Sequence, residues 1–76
     1  MKIEILGSGC PSCKKLEENA GKACELLGIK AEIVKVTDFA QIASYGVMST
    51  PALVVDGRVK VYGRVPDVEE IIKILK

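Results

Sequence analysis

Between residues 6 and 11 a strand pattern gives way to a helix pattern, and that switch limits the folds open to this chain. Lys2-Ile3-Glu4-Ile5-Leu6 reads as a strand, and Gly7-Ser8-Gly9 as a turn. From about residue 11 to 27 the apolar positions are Cys13, Leu16, Ala20, Ala23, Cys24 and Leu27. That spacing marks one face of a helix. Gly28 ends it, as a glycine just past a helix often does. Ala31-Glu32-Ile33-Val34-Lys35-Val36 is rich in β-branched residues and reads as a second strand. A strand–helix–strand unit implies parallel strands and a right-handed crossover.

The second half has a different rhythm. Asp38 followed by Gln41 has the form of a capping box, opening a short helix to about residue 45. Phe39, Ile42 and Ala43 are expected to face inward, and Gly46 to stop the helix. Pro51-Ala52-Leu53-Val54-Val55 is a continuous apolar run, as expected of a strand buried on both faces. Asp56-Gly57 is a strong hairpin signal. Val59-Lys60-Val61-Tyr62 alternates and is expected to keep one face in solvent. Asp67 with Glu70 forms another capping box, after which Val68, Ile71, Ile72 and Leu75 recur at helical spacing. The expected class is α/β, order βαβαββα, with a four-stranded mixed sheet and helices on both faces.

Seventy-six residues are expected to make one domain, spanning 1–76. Aromatic residues are only 4% of the chain, so the core must come from Ile, Val, Leu and Ala. The net charge is +1 with acids and bases interleaved, which leaves no footprint for nucleic acid or an anionic membrane. No apolar run is long enough to span a bilayer. The first residues lack the long apolar segment of a signal peptide. The expected compartment is the cytoplasm, where thiols are mostly reduced.

The cysteines are Cys10, Cys13 and Cys24, and an odd number argues against a secreted disulfide framework. Histidine is absent, which excludes a Cys–His or Ser–His pair within the chain. A closed zinc site of four cysteines and histidines is also out of reach.

Cys10-Pro11-Ser12-Cys13 lies where the first strand ends and the first helix begins. The first N–H groups of a helix have no intrahelical partner, and the helix dipole is positive there. A thiolate at that end is stabilised, and the thiolate is the nucleophile of disulfide exchange. Pro11 suits the first helical turn, where it needs no N–H. Two intervening residues let the second sulfur reach the first. Cys10 is therefore the expected nucleophile, and Cys13, on the apolar face, the resolving thiol of a Cys10–Cys13 disulfide. Cys24 lies ~16 Å further along the helix axis and cannot bridge Cys13 while the helix is intact. It reads as a buried structural thiol. Lys14 and Lys15 read first as solvated residues. Glu4 reads as an exposed strand residue or a proton carrier beneath the disulfide, and none of the three is given a catalytic role.

Soft-metal chaperones share the beginning of this pattern. They also run strand, C-x-x-C, helix, strand, and their thiolates hold Cu(I). Their ferredoxin-like architecture then continues directly into a third strand and ends on a strand. Here a helix is expected at 38–45 and the chain ends on a helix. The methionine usual two residues before the first cysteine is Ser8.

With Ser49-Thr50-Pro51 in view, the whole chain resembles the thioredoxin superfamily. More narrowly it resembles the small thioredoxin/glutaredoxin-like redox-active disulfide proteins of archaea and bacteria. The resemblance rests on Gly9-Cys10-Pro11-Ser12-Cys13, on Gly46-Val47-Met48-Ser49-Thr50-Pro51-Ala52-Leu53, on Asp56-Gly57 and on Gly63-Arg64-Val65-Pro66. It implies a minimal thioredoxin fold with a cis proline at Pro51 beside the disulfide. Thr50 then offers its backbone to an extended substrate segment. Substrate contacts are expected from Pro11, Ser12, Thr50 and Pro51. The departures are the absence of Trp, a proline directly after the first cysteine, and Tyr62-Gly63-Arg64-Val65-Pro66-Asp67 in place of a glutaredoxin Gly-Gly-x-Asp segment.

The implied function is thiol–disulfide oxidoreduction on protein disulfides, with no bound cofactor and no metal. A thioredoxin-reductase-like flavoprotein and glutathione both stay open as reductant. A Cu(I) carrier and a redox sensor using the same thiolates are the alternatives.

Overall fold

The computed structural model describes residues 1–7 and 11–76. Its elements are β1 (Lys2–Leu6), α1 (Pro11–Leu27), β2 (Glu32–Val36), α2 (Phe39–Ser44), β3 (Ala52–Val55), β4 (Arg58–Tyr62) and α3 (Val68–Leu75). The order is βαβαββα, as the sequence predicts. It is not the ferredoxin-like order, because α2 stands between β2 and β3 and the chain ends on α3.

The sheet order is β2-β1-β3-β4. β1 runs parallel to β2, with Ile3 opposite Ile33 and Leu6 opposite Val36. It runs antiparallel to β3, with Ile3 opposite Val55 and Leu6 opposite Ala52. Side chains alternate along a strand, so this register sorts them into two layers. Ile3, Ile5, Leu53, Val55 and Val61 meet Leu16, Ala20, Ala23 and Cys24 of α1 and Ile71 and Leu75 of α3. On the other face Leu6, Val36, Ala52 and Val54 meet Ile42 of α2. Fully burying each large aliphatic side chain contributes roughly 1.5–3 kcal/mol.

The helix ends follow their sequence signals. Gly28 has φ +69°, donates its N–H to Glu25, and lets Ile29 donate to Cys24. That pair of bonds is a Schellman closure, which glycine favours. Asp38 caps α2 by accepting from the Ala40 N–H rather than that of Gln41, and Asp67 caps α3 by accepting from the Glu70 N–H, while the Glu70 carboxylate expected to complete a box pairs with Arg64 instead. Asp56 and Gly57 both have positive φ, and form the two-residue turn between β3 and β4.

Two expectations change. Phe39 and Ala43 are exposed, and Ile42 alone of the three is buried. A helix of six residues turns too few side chains onto the sheet to bury all three. Val59 and Val61 do not share a face either. Leu53 pairs with Val61 and Val54 with Val59, so Lys60 is an extra residue in β4. This bulge turns Val61 to the α1 layer and Val59 to the α2 layer. Both faces of the hairpin therefore contribute to packing.

Candidate functional site

The site forms where β1, α1 and β3 meet. β1 ends at Leu6, and Gly7 continues the line by donating its N–H to the Val36 carbonyl at 2.9 Å. Residues 8–10 lie outside the described residues. So do the expected nucleophile Cys10 and its disulfide with Cys13. α1 opens on Pro11 and Ser12, both exposed. Pro11 is the first helical residue, the position that tolerates a missing N–H.

Cys13 is the third residue of α1 and is only 6% exposed. Its sulfur lies directly against Gly7, in the space a Cβ on that residue would occupy. The same absent Cβ would stand 3.9 Å from the Cβ of Thr50. The Thr50–Pro51 peptide bond is cis. Thr50 is exposed and Pro51 is buried. The register that pairs Leu6 with Ala52 explains this meeting, because one more step brings Pro51 opposite Gly7. Cys13, Gly7, Thr50 and Pro51 are thus gathered at the N-terminal end of α1.

A second loop borders this cluster. Gly63 donates its N–H to the Pro51 carbonyl at 2.9 Å. It has φ +78°, and a Cβ there would meet the Ser49 Cβ at 3.3 Å. Both its conformation and its neighbour therefore favour glycine. Further along, the Pro66 carbonyl accepts from Asn19 Nδ2 of α1 at 3.0 Å, so this loop is tied at both ends.

On the other side of Cys13 a small cavity of about 50 Å³ reaches the thiol. It is lined by Ile5, Gly7, Cys13, Lys14, Glu17, Lys35 and Thr37. Lys35 of β2 and Glu17 of α1 form an ion pair across it at 3.3 Å. Lys14 thus borders the site, whereas Lys15 is an exposed residue of the outer face. Gly7, Glu17, Lys35 and Thr37 were not singled out in the sequence. The only hint was the position of Gly7, one residue past an apolar strand.

Cys24 belongs elsewhere. It is 6% exposed within the layer between α1 and the sheet, and burial pushes its thiol pKa up. A raised pKa disfavours the thiolate, so Cys24 has the character of an inert structural thiol.

Glu4 is not an exposed strand residue. It is 8% exposed and lies on the sheet face that α2 covers. Its carboxylate accepts a hydrogen bond from the Tyr45 hydroxyl, and the Lys2 ammonium stands 3.8 Å away. The hydrogen bond to Glu4 raises the Tyr45 pKa, with burial and the nearby negative charge adding to it. These groups share a cavity of about 340 Å³ with Val34, Val36, Gln41 and Ser44. Among the described residues no helix is long and apolar enough to cross a membrane.

A family model described as a thioredoxin domain matches residues 1–76. A protein named thioredoxin from Methanothermobacter thermautotrophicus is 49% identical over 75 residues, covering 99% of this chain and 97% of that protein. Another of that name, from Methanocaldococcus jannaschii, is 50% identical over 74 residues, covering 97% of this chain and 85% of that protein.

Proposed function

The chain belongs to the thioredoxin domain family and is a thiol–disulfide oxidoreductase, and we propose that Cys10 and Cys13 are its working pair. The soft-metal reading is not favoured, because the element order and the family both point away from it.

The Cys10 thiolate attacks one sulfur of a substrate disulfide. The substrate S–S bond breaks, the first substrate thiolate leaves, and a Cys10–substrate mixed disulfide forms. Cys13 loses its proton and attacks the Cys10 sulfur. The mixed disulfide breaks, the second substrate thiolate leaves, and Cys10–Cys13 becomes the disulfide. Two electrons pass to the substrate, and each departing thiolate takes a proton from solvent. A thioredoxin-reductase-like flavoprotein or glutathione then restores the pair.

One observation carries this assignment of roles. Cys13 is buried at the start of α1 with its sulfur against Gly7, the glycine that Thr50 also approaches, which suits the sulfur to an intramolecular step. Thr50, exposed just before β3, offers its backbone to an extended substrate segment. Pro11 and Ser12, exposed in the first turn of α1, border the same approach. The acting compartment is proposed to be the cytoplasm.

The test is a trap. Cys13→Ser lacks the resolving thiol and is expected to accumulate a mixed disulfide on Cys10 with a disulfide-bonded protein such as insulin. Peptide mapping after acid quench identifies the linked cysteine. Linkage through Cys24, or full turnover by Cys13→Ser, would overturn the assignment.

A further inference from the structure

The loop that borders Pro51 carries a charge that the mechanism above does not use. Arg64 directly follows Gly63, whose N–H is bonded to the Pro51 carbonyl. One residue spans roughly 3.8 Å, so the Arg64 backbone sits close to the Thr50–Pro51 segment proposed to receive substrate. Its guanidinium is engaged by Glu70 of α3 in a two-pronged pair. Nη1 donates to Oε1 at 2.7 Å, and Nη2 donates to Oε2. Glu70 holds the Arg64 pKa up, and Arg64 holds the Glu70 carboxyl below its ordinary value. Asp67 and Lys73 also act on this pair, one on each partner. The facing segment Val47-Met48-Ser49-Thr50 has no charge, and α1 approaches the loop through the neutral Asn19.

The Gly63-Arg64-Val65-Pro66 loop beside Pro51 therefore carries one cation, and that cation is already committed to Glu70. A fork of two parallel hydrogen bonds is the geometry with which arginine takes a carboxylate, and Glu70 occupies it. We propose that Glu70 is a specificity-determining residue that withholds Arg64 from acidic substrates, so the protein does not select disulfides in anionic segments. This rests on the Cys10–Cys13 reading. The Arg64 side chain is 57% exposed, so the pair lies at the surface rather than sealed in the core.

The experiment uses the whole chain, reduced and freed of reductant. Its single-turnover oxidation is followed with three small disulfides: oxidised glutathione (anionic), cystamine (cationic) and bis(2-hydroxyethyl) disulfide (neutral). Each charged rate is divided by the neutral one. Glu70→Gln frees Arg64 and is expected to raise the anionic-to-cationic ratio by about two- to fivefold at low salt, the range open to an exposed charge. Arg64→Gln leaves Glu70 unpaired and is expected to lower the ratio by a similar factor. The double variant Arg64→Gln/Glu70→Gln is expected to return to the original ratio. High salt is expected to compress all of these differences. A merely structural fork would move the three rates together, which would overturn the proposal. So would an unchanged ratio in both single variants. Exchange with the neutral disulfide, compared between the unsubstituted chain and Cys10→Ser, reads the Cys10–Cys13 assignment separately.

Discussion

The Cys13 sulfur fills the space that a side chain on Gly7 would need. Nothing in the backbone at Gly7 requires glycine, and the neighbouring sulfur does. Gly7→Ala is therefore expected to displace the Cys13 side chain. Overpacking of this kind costs about 1–3 kcal/mol. The variant should unfold at lower urea and reduce insulin more slowly. With Cys13→Ala the nearest atom left is its Cβ, 3.4 Å from the new methyl group. Gly7→Ala should then lose little further stability in that background. An equal loss with and without the sulfur would mean the contact is not what Gly7 serves.

The buried thiol of Cys24 supports a second expectation. Burial raises its pKa, so it holds its proton and stays a poor nucleophile near neutral pH. Limiting iodoacetamide should label Cys10 first and Cys24 last, as peptide mass mapping can read. Cys24→Ala leaves a small cavity and is expected to cost about 1 kcal/mol while keeping disulfide reduction. Loss of activity equal to that of Cys10→Ser would break the two-thiol scheme.

Some of this molecule could be read from its residues and some could not. The spacing of Leu16, Ala20, Ala23 and Cys24 along α1 reports local geometry, and the structure buries all four. The Asp56-Gly57 turn and the Asp38 and Asp67 caps are local signals too, and they hold. Phe39 failed because periodicity says which side chains share a face but not how far the face is covered. The partner of Glu4 is illegible for a different reason. Tyr45 is 41 residues away, and nothing in either segment announces the meeting. The Cys13, Gly7 and Thr50 cluster likewise depends on strand register, which a single sequence does not state. The family resemblance, not spacing, drew Thr50 and Pro51 toward the cysteines. Cys10 itself lies outside the described residues, so its role rests on chemistry and family.

The bulge at Lys60 makes an unusual deletion testable. Leu53 pairs with Val61 and Val54 with Val59, with Lys60 left over. Removing Lys60 makes Val59 and Val61 neighbours, and neighbours in a regular strand point to opposite faces. That is the arrangement already present. The deletion should therefore keep the fold and both pairings, seen as backbone contacts across the hairpin by NMR. Lys60→Gly/Val61→Gly should not, because it strips a buried side chain from the α1 layer. Unfolding of the deletion variant would show that the bulge has a role beyond sorting the two valines.

The Tyr45–Glu4 pair predicts a specific response to alkali. The Tyr45 phenol donates to a carboxylate that is 8% exposed, and that hydrogen bond is the largest cause of its raised pKa. The folded protein thus holds this proton more tightly than the unfolded chain does. Stability from the bond is fully present below the unfolded tyrosine value of about 10. It is lost as pH rises through the higher folded value, because the unfolded state gives up the proton first. Tyr45→Phe has no proton to lose. It is expected to be less stable than the original chain at neutral pH, since Glu4 keeps the Lys2 ammonium at 3.8 Å but loses its hydrogen-bond donor. It should also show a shallower fall in stability above about pH 10. Urea unfolding at a series of pH values measures both. Parallel curves for the two proteins across that range would mean that the Tyr45 hydroxyl does not hold its proton through Glu4.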